Sequence, residues 1–192
     1  MQTFNIVIAG VGGQGVLLAS KVLAECALIS GMDVKQNEVH GMAQRGGSVI
    51  SFVRFGEKID SPVVSPGNAD MLISFEPLEA LRYAHFLKPG GRLVYSKVAI
   101  NPSTVASGLA VYPTDVEQQI ATVVPNSKGI QALAIAREAG NGKAVNMVMV
   151  GSVIKQLPFS DEVIQQVIAA VSRDQDVEVN LKALAGGAEA VS

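Results

Sequence analysis

Two glycine-rich segments have the residue types and spacing to do chemistry. The first, residues 10–15 (GVGGQG), matches the pattern G-x-G-x-x-G directly between an apolar β-type run and a helical pattern. Its glycines would let the backbone approach a ligand or another chain, and the helix that follows would present free N–H groups with partial positive charge. The residues alone leave three uses open: a nucleotide or phosphate site, a tight turn without a ligand, or a contact with a partner subunit.

The second segment, residues 38–48 (EVHGMAQRGGS), follows a predicted strand and places three glycines around one arginine. From a backbone kinked by Gly46 and Gly47, Arg45 could reach a phosphate, a carboxylate or an acidic group of a partner. An ordinary surface arginine on a solvated loop is the alternative. Glu38, roughly twenty residues after the glycine loop, has the spacing of the acidic residue that binds ribose in dinucleotide-binding proteins.

Apolar runs and helical patterns predict the elements that position these segments. We expect strands over residues 3–9, 34–39, 48–55, 71–75, 92–95 and 109–112. We expect helices over residues 16–30, 76–86, 133–139, 144–157, 161–171 and 177–190, and a short helical piece from about residue 115. A strand, a helix and a second strand fill the first forty residues. They predict a right-handed βαβ unit with the glycine loop at the carboxyl edge of a parallel sheet.

The composition predicts one packed domain over residues 1–192. Hydrophobic residues make up 48% and charged residues 17% of the chain, which favours a folded core over disorder. The order of elements predicts a three-layer α/β fold with a mostly parallel sheet, flanking helices and a helical C-terminal part. Residues 145–154 are apolar nearly all round, which predicts burial in the domain or in a subunit contact.

Charge and hydropathy exclude two classes of partner at this stage. No apolar run approaches the ~20 residues that a membrane span needs. The start of the chain lacks the basic region of a signal peptide, so we expect a first strand there and a cytoplasmic protein. A net charge of −2 without a Lys/Arg cluster argues against binding of nucleic acid.

Cysteine and histidine usage argues against a metal centre in this chain. Cys26 is the only cysteine, and a single thiolate can neither close an intrachain disulfide nor hold an iron–sulfur cluster, which generally takes four ligands. The pattern around Cys26 predicts a buried small hydrophobe. His40 and His85 lie far apart without a nearby carboxylate at ligand spacing. We therefore predict that this chain holds no metal and no cofactor of its own.

The two segments together resemble a known family. The motif GxGGQG at residues 10–15 and, some thirty residues later, QRGG at residues 44–47 before a VRF strand are similar to the gamma domain of 2-oxoacid:ferredoxin oxidoreductases. The form of residues 38–47 resembles the small (beta) subunit of the indolepyruvate type, because the pyruvate and 2-oxoglutarate types typically carry a Tyr-Gly-Pro-Glu type of segment there. Smaller matches extend the resemblance over nearly the whole chain, at residues 61–62, 69–70, 140–141, 146–147, 151 and 180–183.

The resemblance implies a division of labour between subunits. Family enzymes oxidatively decarboxylate a 2-oxoacid to an acyl-CoA on thiamine diphosphate with Mg²⁺, and pass electrons through 4Fe-4S clusters to ferredoxin. Other subunits or domains carry these cofactors. The resemblance therefore implies a large catalytic thiamine and iron–sulfur subunit as partner, ferredoxin as a partner through the complex, and no catalytic residue in this chain. The residues expected to face the large subunit or CoA are Gly10, Gly12, Gly13, Gln14, Gly15, His40, Gly41, Gln44, Arg45, Gly46 and Gly47.

Three other interpretations stay open on the sequence. A free-standing dinucleotide-binding protein would use Gly10, Gly12, Gly15 and Glu38, although the chain lacks a second substrate-binding domain and a convincing proton-transfer pair. A gamma subunit of a pyruvate, 2-oxoglutarate or branched-chain enzyme would keep the family and change the substrate. A pure assembly scaffold would make no contact with the active site. Under the favoured interpretation, an exposed partner-facing surface also favours self-association of the isolated chain.

Overall fold

A computed structural model describes residues 2–40 and 46–192 of the chain. The described residues form six strands, eight α-helices and three short 3₁₀ helices. The strands are β1 (Phe4–Val11), β2 (Asp33–His40), β3 (Ser48–Gly56), β4 (Ala69–Ser74), β5 (Leu87–Ser96) and β6 (Lys128–Ile130). The α-helices are α1 (Val16–Ile29), α2 (Pro77–Tyr83), α3 (Ser103–Ala106), α4 (Val116–Val123), α5 (Ala132–Glu138), α6 (Val145–Ile154), α7 (Asp161–Val171) and α8 (Val177–Glu189). The 3₁₀ helices are Ala84–Phe86, Gly142–Ala144 and Asp174–Asp176.

All six strands form one mixed sheet with the order β2-β3-β1-β4-β5-β6. Neighbours among β1, β4, β5 and β6 are parallel, whereas β3 is antiparallel to both β1 and β2. The sheet is therefore mostly parallel, as predicted. Strands β1 and β2 run parallel to each other, as the expected βαβ unit requires, but they are not adjacent, because β3 lies between them and pairs antiparallel with both. This order fits the two strands: β3 is buried at seven of its nine positions, as a central strand must be, while the polar strand β2 suits an edge.

Different helices cover the two faces of the sheet. Successive side chains of a strand point to opposite faces, so Ile6 and Ile8 join the larger core while Val7 and Ala9 join the smaller one. Helices α1, α5, α6, α7 and α8 contribute to the larger core, and α2 and α4 to the smaller. The predicted three-layer α/β fold, with its helical C-terminal part, is confirmed.

Helix α6 lies inside the larger core. Every residue from Asn146 to Ile154 is buried, which confirms burial within the domain for this apolar helix. Helix α8 crosses it at very close range. A Cβ atom added to Gly151 would lie 1.9 Å from the carbonyl oxygen of Leu184, and one on Gly187 would lie 2.0 Å from that of Val148. Glycine at these two places lets the two backbones touch.

Most predicted elements are confirmed to within a few residues, and one predicted strand is wrong. Residues 109–112 form no strand, and Leu109 and Val111 are 82% and 88% exposed. The apolar run there has no neighbouring strand to pair with. The strand that does border β5 is the three-residue β6, which is too short to show an alternating pattern. No helix within residues 2–40 and 46–192 is long and apolar enough to cross a membrane.

Candidate functional site

The carboxyl ends of the parallel strands bring the predicted loops together at one edge of the sheet. Strand β1 ends at Val11, which pairs with Ser48 at the start of β3. Strand β2 ends at His40 at the same edge. The glycine loop, residues 10–15, and the described end of the second loop, residues 46–47, are therefore neighbours in space.

A backbone hydrogen bond joins the two loops directly. The N–H group of Gly12 donates to the carbonyl oxygen of Gly47, with an N···O distance of 2.8 Å. Gly46 has φ 73°, in the left-handed region, so the second loop bends sharply just before this bond. The remaining predicted residues of this loop, Gly41, Gln44 and Arg45, lie outside the described residues, as does the side chain of His40.

The side chain of Gln14 holds the glycine loop in place. Its Oε1 accepts a hydrogen bond of 2.7 Å from the N–H of Val11, and its Nε2 donates one of 2.9 Å to the carbonyl oxygen of Phe75, just beyond β4. The carbonyl of Val11 in turn accepts from the N–H of Gln14 at 3.1 Å. Gln14 therefore bridges the ends of β1 and β4.

Helix α1, which follows the glycine loop, begins without a side-chain cap at its N-terminus. Gly15 precedes α1 in the left-handed conformation, with φ 88°, and supplies no side-chain cap. The first turn of α1 contains no acidic residue. A Cβ atom on Gly15 would lie 3.0 Å from Nδ2 of Asn146 on α6, so this position has room for little beyond a hydrogen.

Two clefts open on either side of the glycine loop. One, of about 420 Å³, is lined by Gly12, Gly13, Leu17 and Glu38 among others. The other, of about 490 Å³, lies between the loop and the start of α6, and its polar lining includes Ser96, Lys143 and Asn146. Both volumes fall in the range of small-molecule sites.

The first cleft tests the dinucleotide interpretation. Glu38 does line it together with the glycine loop, as that interpretation requires. The strand order differs from the dinucleotide-binding unit, in which β2 lies beside β1. Here β3 separates them, which places Glu38 two strand spacings, or roughly 10 Å, from β1. The ribose-binding carboxylate of that fingerprint is therefore displaced by one strand.

A buried carboxylate lies beyond the end of β4. Glu76 is 1% exposed, and its Oε2 accepts a hydrogen bond of 3.0 Å from the N–H of Glu79, which caps helix α2. Its Oε1 accepts from the N–H of Ile100 at 3.3 Å and from the hydroxyl of Tyr112. Glu76 therefore fastens the long segment after β5 to the same edge. Burial and the neighbouring Glu76 raise the pKa of the Tyr112 phenol well above its ordinary value.

A second buried carboxylate anchors the start of β3. Glu79, 4% exposed, accepts a hydrogen bond from the Ser48 hydroxyl and one of 3.1 Å from Nε of Arg82. The Ser48 hydroxyl also lies 2.9 Å from the hydroxyl of Tyr83. Because Ser48 directly follows the second glycine loop, this cluster fixes the point at which the loop re-enters the sheet.

A comparison with known protein families shows which family the chain belongs to. A family model described as pyruvate ferredoxin/flavodoxin oxidoreductase matches residues 5–190. The chain belongs to that family. The resemblance of its two glycine segments is thereby confirmed.

Two relatives of this oxidoreductase family match over nearly their whole length. The indolepyruvate oxidoreductase subunit IorB of Thermococcus kodakarensis is 42% identical, with 99% of this chain and 96% of the relative covered. The subunit of the same name from Pyrococcus horikoshii is 43% identical with the same coverage. The fold agrees with a keto/oxoacid ferredoxin oxidoreductase gamma subunit from Geobacter sulfurreducens, at a TM-score of 0.73 and 22% identity, covering 98% of each chain.

The residues of this family member do not fit an iron–sulfur cluster. Its one cysteine, Cys26, is fully buried on α1, and burial raises the pKa of its thiol to about 12, with the charge of Glu25 adding to the shift. Such a thiol is neutral at physiological pH and is not a thiolate ligand. Within the described parts of the chain, no three or more His, Cys, Asp or Glu side chains come together as a metal site.

Sequence reasoning gave no place in the site to several polar residues at this edge, although residues 146–147 were among the matches to the family. Asn146 falls inside an otherwise apolar helix pattern, and that exception was the available signal for it. Glu76 was interpreted only as the start of a helix. Lys143 gave no signal at all, because its place beside the glycine loop depends on how α6 packs against α1.

Proposed function

We propose that this chain is the small subunit of a cytoplasmic 2-oxoacid:ferredoxin oxidoreductase that acts on indolepyruvate or related arylpyruvates. One observation carries the proposal: the chain matches separate indolepyruvate oxidoreductase subunits over 99% of its own length and 96% of theirs. Coverage this high on both sides supports the same kind of small subunit.

In this proposal a large partner subunit carries the cofactors. Thiamine diphosphate with Mg²⁺ would supply the decarboxylation, 4Fe-4S clusters would conduct electrons to ferredoxin, and CoA would accept the acyl group. The chemistry of this chain agrees with that division, because its only thiol is buried and protonated. Its own contribution is to position and close the partner's site.

The proposed contact surface is the loop edge of the sheet. Gly12 and Gly47 join the two loops into one ridge, and Gln14 ties that ridge to β4. Hydrogen bonds preorganise the described part of this ridge, residues 10–15 and 46–47, which lowers the cost of ordering those residues when the large subunit docks. The full set of residues proposed to face the large subunit or CoA is Gly10, Gly12, Gly13, Gln14, Gly15, His40, Gly41, Gln44, Arg45, Gly46 and Gly47.

Co-purification from the native source tests the assembly and the substrate together. We expect this chain to come with a large chain that holds thiamine diphosphate and iron, and the complex to reduce ferredoxin or a viologen with arylpyruvates and CoA. A complex that prefers pyruvate, 2-oxoglutarate or a branched-chain 2-oxoacid would keep the assembly and correct the substrate. Recovery of this chain alone, without iron or thiamine, would refute the proposed partnership.

Arg45→Ala tests the role of the second loop. Arg92→Ala, on β5 away from the loop edge, is the matched control for loss of one guanidinium group. We expect Arg45→Ala to weaken assembly, or to leave assembly intact and raise the KM for CoA, while Arg92→Ala does neither. Intact assembly with unchanged CoA kinetics in Arg45→Ala would rule out the role given to Arg45. Weakened assembly without any kinetic change in the assembled fraction would favour the pure scaffold.

A further inference from the structure

The segment that links β5 to α4, residues 98–114, is an uncharged part of the surface. It contains no Asp, Glu, Lys or Arg, although charged residues make up 17% of the chain. Residues 106–111 within it, here called the apolar turn, are all exposed. Leu109 is 82% and Val111 is 88% exposed, whereas the other exposed large hydrophobic side chains of the described chain are 41–59% exposed. Single exposed apolar residues are ordinary, but two nearly bare ones in an uncharged segment favour a contact surface.

Backbone hydrogen bonds give the apolar turn a defined shape. The N–H groups of Leu109 and Ala110 donate to the carbonyl oxygen of Thr104, at 2.9 and 3.1 Å. Gly108, with φ 76°, adopts the left-handed conformation that commonly ends a helix, here α3. The turn therefore closes on its own backbone, and its shape does not come from burying Leu109 in this domain.

One buried carboxylate holds both ends of the segment at the loop edge. Oε1 of Glu76 accepts hydrogen bonds from the N–H of Ile100 and the hydroxyl of Tyr112, which lie on either side of the apolar turn. The residue before it, Phe75, accepts the hydrogen bond from Gln14 of the glycine loop. The apolar turn and the glycine loop are therefore both attached at the end of β4, and the turn is continuous with the proposed contact surface.

We propose that the apolar turn is a docking contact for the large subunit, and that Leu109 and Val111 enter an apolar depression on it. The inference rests on the proposed function and adds a contact outside the two glycine segments. The lack of charge suits a protein surface, because the buried cores of interfaces are depleted of charged residues. Nucleic acid and anionic lipid surfaces would instead call for Lys or Arg.

A relative with a longer chain supports the large subunit, and not a second copy of this chain, as the occupant. The ketoisovalerate oxidoreductase subunit VorA of Methanothermobacter thermautotrophicus is 30% identical over 96% of this chain, which matches only 36% of VorA. The matching region of VorA is thus joined covalently to a further part of an oxidoreductase subunit. In that relative, the rest of the same subunit is at hand to cover this region without self-association.

Photo-cross-linking in the purified complex identifies what covers the apolar turn. p-Benzoylphenylalanine replaces Val111 in the full chain, which is co-expressed with the large subunit, purified anaerobically and irradiated. We expect a cross-link to the large subunit, mapped by mass spectrometry. The same probe in place of Val123, 58% exposed beside the start of β5 at the opposite edge of the sheet, should give none. Cross-links only between copies of this chain would overturn the proposal and assign the turn to self-association.

A double variant measures how much the turn contributes to assembly. Leu109→Ser with Val111→Ser removes both apolar side chains, and we expect the dissociation constant of the complex to rise at least tenfold, measured by mass photometry on dilution. Leu28→Ser with Val123→Ser is the matched control, since these side chains are 59% and 58% exposed away from the loop edge, and it should assemble like the parent protein. The urea midpoint of the free Leu109→Ser/Val111→Ser chain should match that of the free parent, because both side chains are exposed.

The outcomes separate this inference from the function on which it rests. If the parent protein assembles and the Leu109→Ser/Val111→Ser variant assembles equally well, the apolar turn is no docking contact, and the proposed function stands. A parent protein that recovers no large subunit refutes the proposed function itself, and this inference with it. Equal weakening of assembly in both double variants would also overturn the inference, because the effect would not be specific to the turn.

Discussion

Gln14 donates a hydrogen bond of 2.9 Å from Nε2 to the carbonyl oxygen of Phe75, and so ties the glycine loop to the end of β4. In the dinucleotide-binding fingerprint G-x-G-x-x-G, the position of Gln14 is variable and its side chain has no assigned role. Here the glutamine accepts from Val11 as well, so a single side chain satisfies two backbone groups of neighbouring strands. Hydrogen bonds within the chain therefore hold the glycine loop in place.

Gln14→Met should therefore destabilise the protein. Methionine has nearly the same length but cannot form either hydrogen bond. The N–H of Val11 and the carbonyl of Phe75, both part-buried, would therefore lose their side-chain partner. We expect the free energy of unfolding to fall by about 1–3 kcal/mol, measured by urea denaturation. Gln119→Met, on the exposed face of α4, is the control and should change stability little. Equal stability of the two variants would show that the bridge contributes nothing.

The close crossing of α6 and α8 gives a second prediction. In Gly151→Ala, the new Cβ would lie 1.9 Å from the carbonyl oxygen of Leu184, which is backbone and cannot rotate away. The helices must separate, so we expect a loss of roughly 3 kcal/mol or more in urea denaturation. Gly142→Ala is the control, because its Cβ would meet side-chain atoms at 3.5 Å, an ordinary contact. A Gly151→Ala protein as stable as Gly142→Ala would mean that the two helices cross less closely.

The order of elements could be predicted from the sequence because most of it is local. The strand at β1, the glycine loop and helix α1 follow from apolar periodicity and a strong turn signal. The position of β3 between β1 and β2 could not be predicted from the sequence. The same order of elements fits a sheet in which β1 pairs directly with β2 and one in which β3 pairs antiparallel with both. The polar composition of β2, which suits an edge strand, was the available hint in the sequence.

The candidate site was less predictable than the fold. The glycine segments are contiguous in sequence, so their motif could be recognised. The second cleft joins Gly15, Ser96 and Asn146, which come from three distant parts of the chain. The packing of α6 against both α1 and β5 brings them together, and a single sequence carries no signal for such long-range contacts.

Cys26 provides a prediction on reactivity and pH. It is the only cysteine, and burial raises the pKa of its thiol to about 12. A disulfide reagent such as DTNB should detect no thiol in the folded chain and one after denaturation in urea. Because the folded pKa lies above the unfolded value of about 8.5, the stabilisation is complete below that pH and is lost as pH rises towards 12.

The matched variant isolates that pH effect. Cys26→Ala removes the titrating group, so its free energy of unfolding should decline less between pH 8 and pH 11 than that of the parent protein. Alanine also leaves a small cavity, which lowers stability at every pH and does not alter the slope. Rapid labelling of the native thiol at neutral pH, or parallel slopes for the two proteins, would show that Cys26 is not held neutral by burial.

The bond from the Tyr112 hydroxyl to Glu76 gives the last prediction. In Tyr112→Phe the buried Glu76 side chain keeps its bond from Ile100 but loses the hydroxyl donor, so we expect the free energy of unfolding at pH 7 to fall by about 1–3 kcal/mol. Tyr95→Phe is the control. Its hydroxyl donates to Glu117 at 3.3 Å, and that carboxylate is 49% exposed, so water can replace the bond and the loss should be smaller.

The raised pKa of the Tyr112 phenol also makes the effect of Tyr112→Phe on stability depend on pH. Burial and Glu76 hold the pKa of Tyr112 above its usual value, so the folded state favours the neutral phenol. That stabilisation is present below the unfolded pKa of about 10 and is lost as pH rises above it. The difference between parent and Tyr112→Phe in urea denaturation should therefore shrink from pH 9 upwards. A difference that stays constant to pH 11 would mean that the phenol is not shifted, and that Tyr112 stabilises the segment by packing alone.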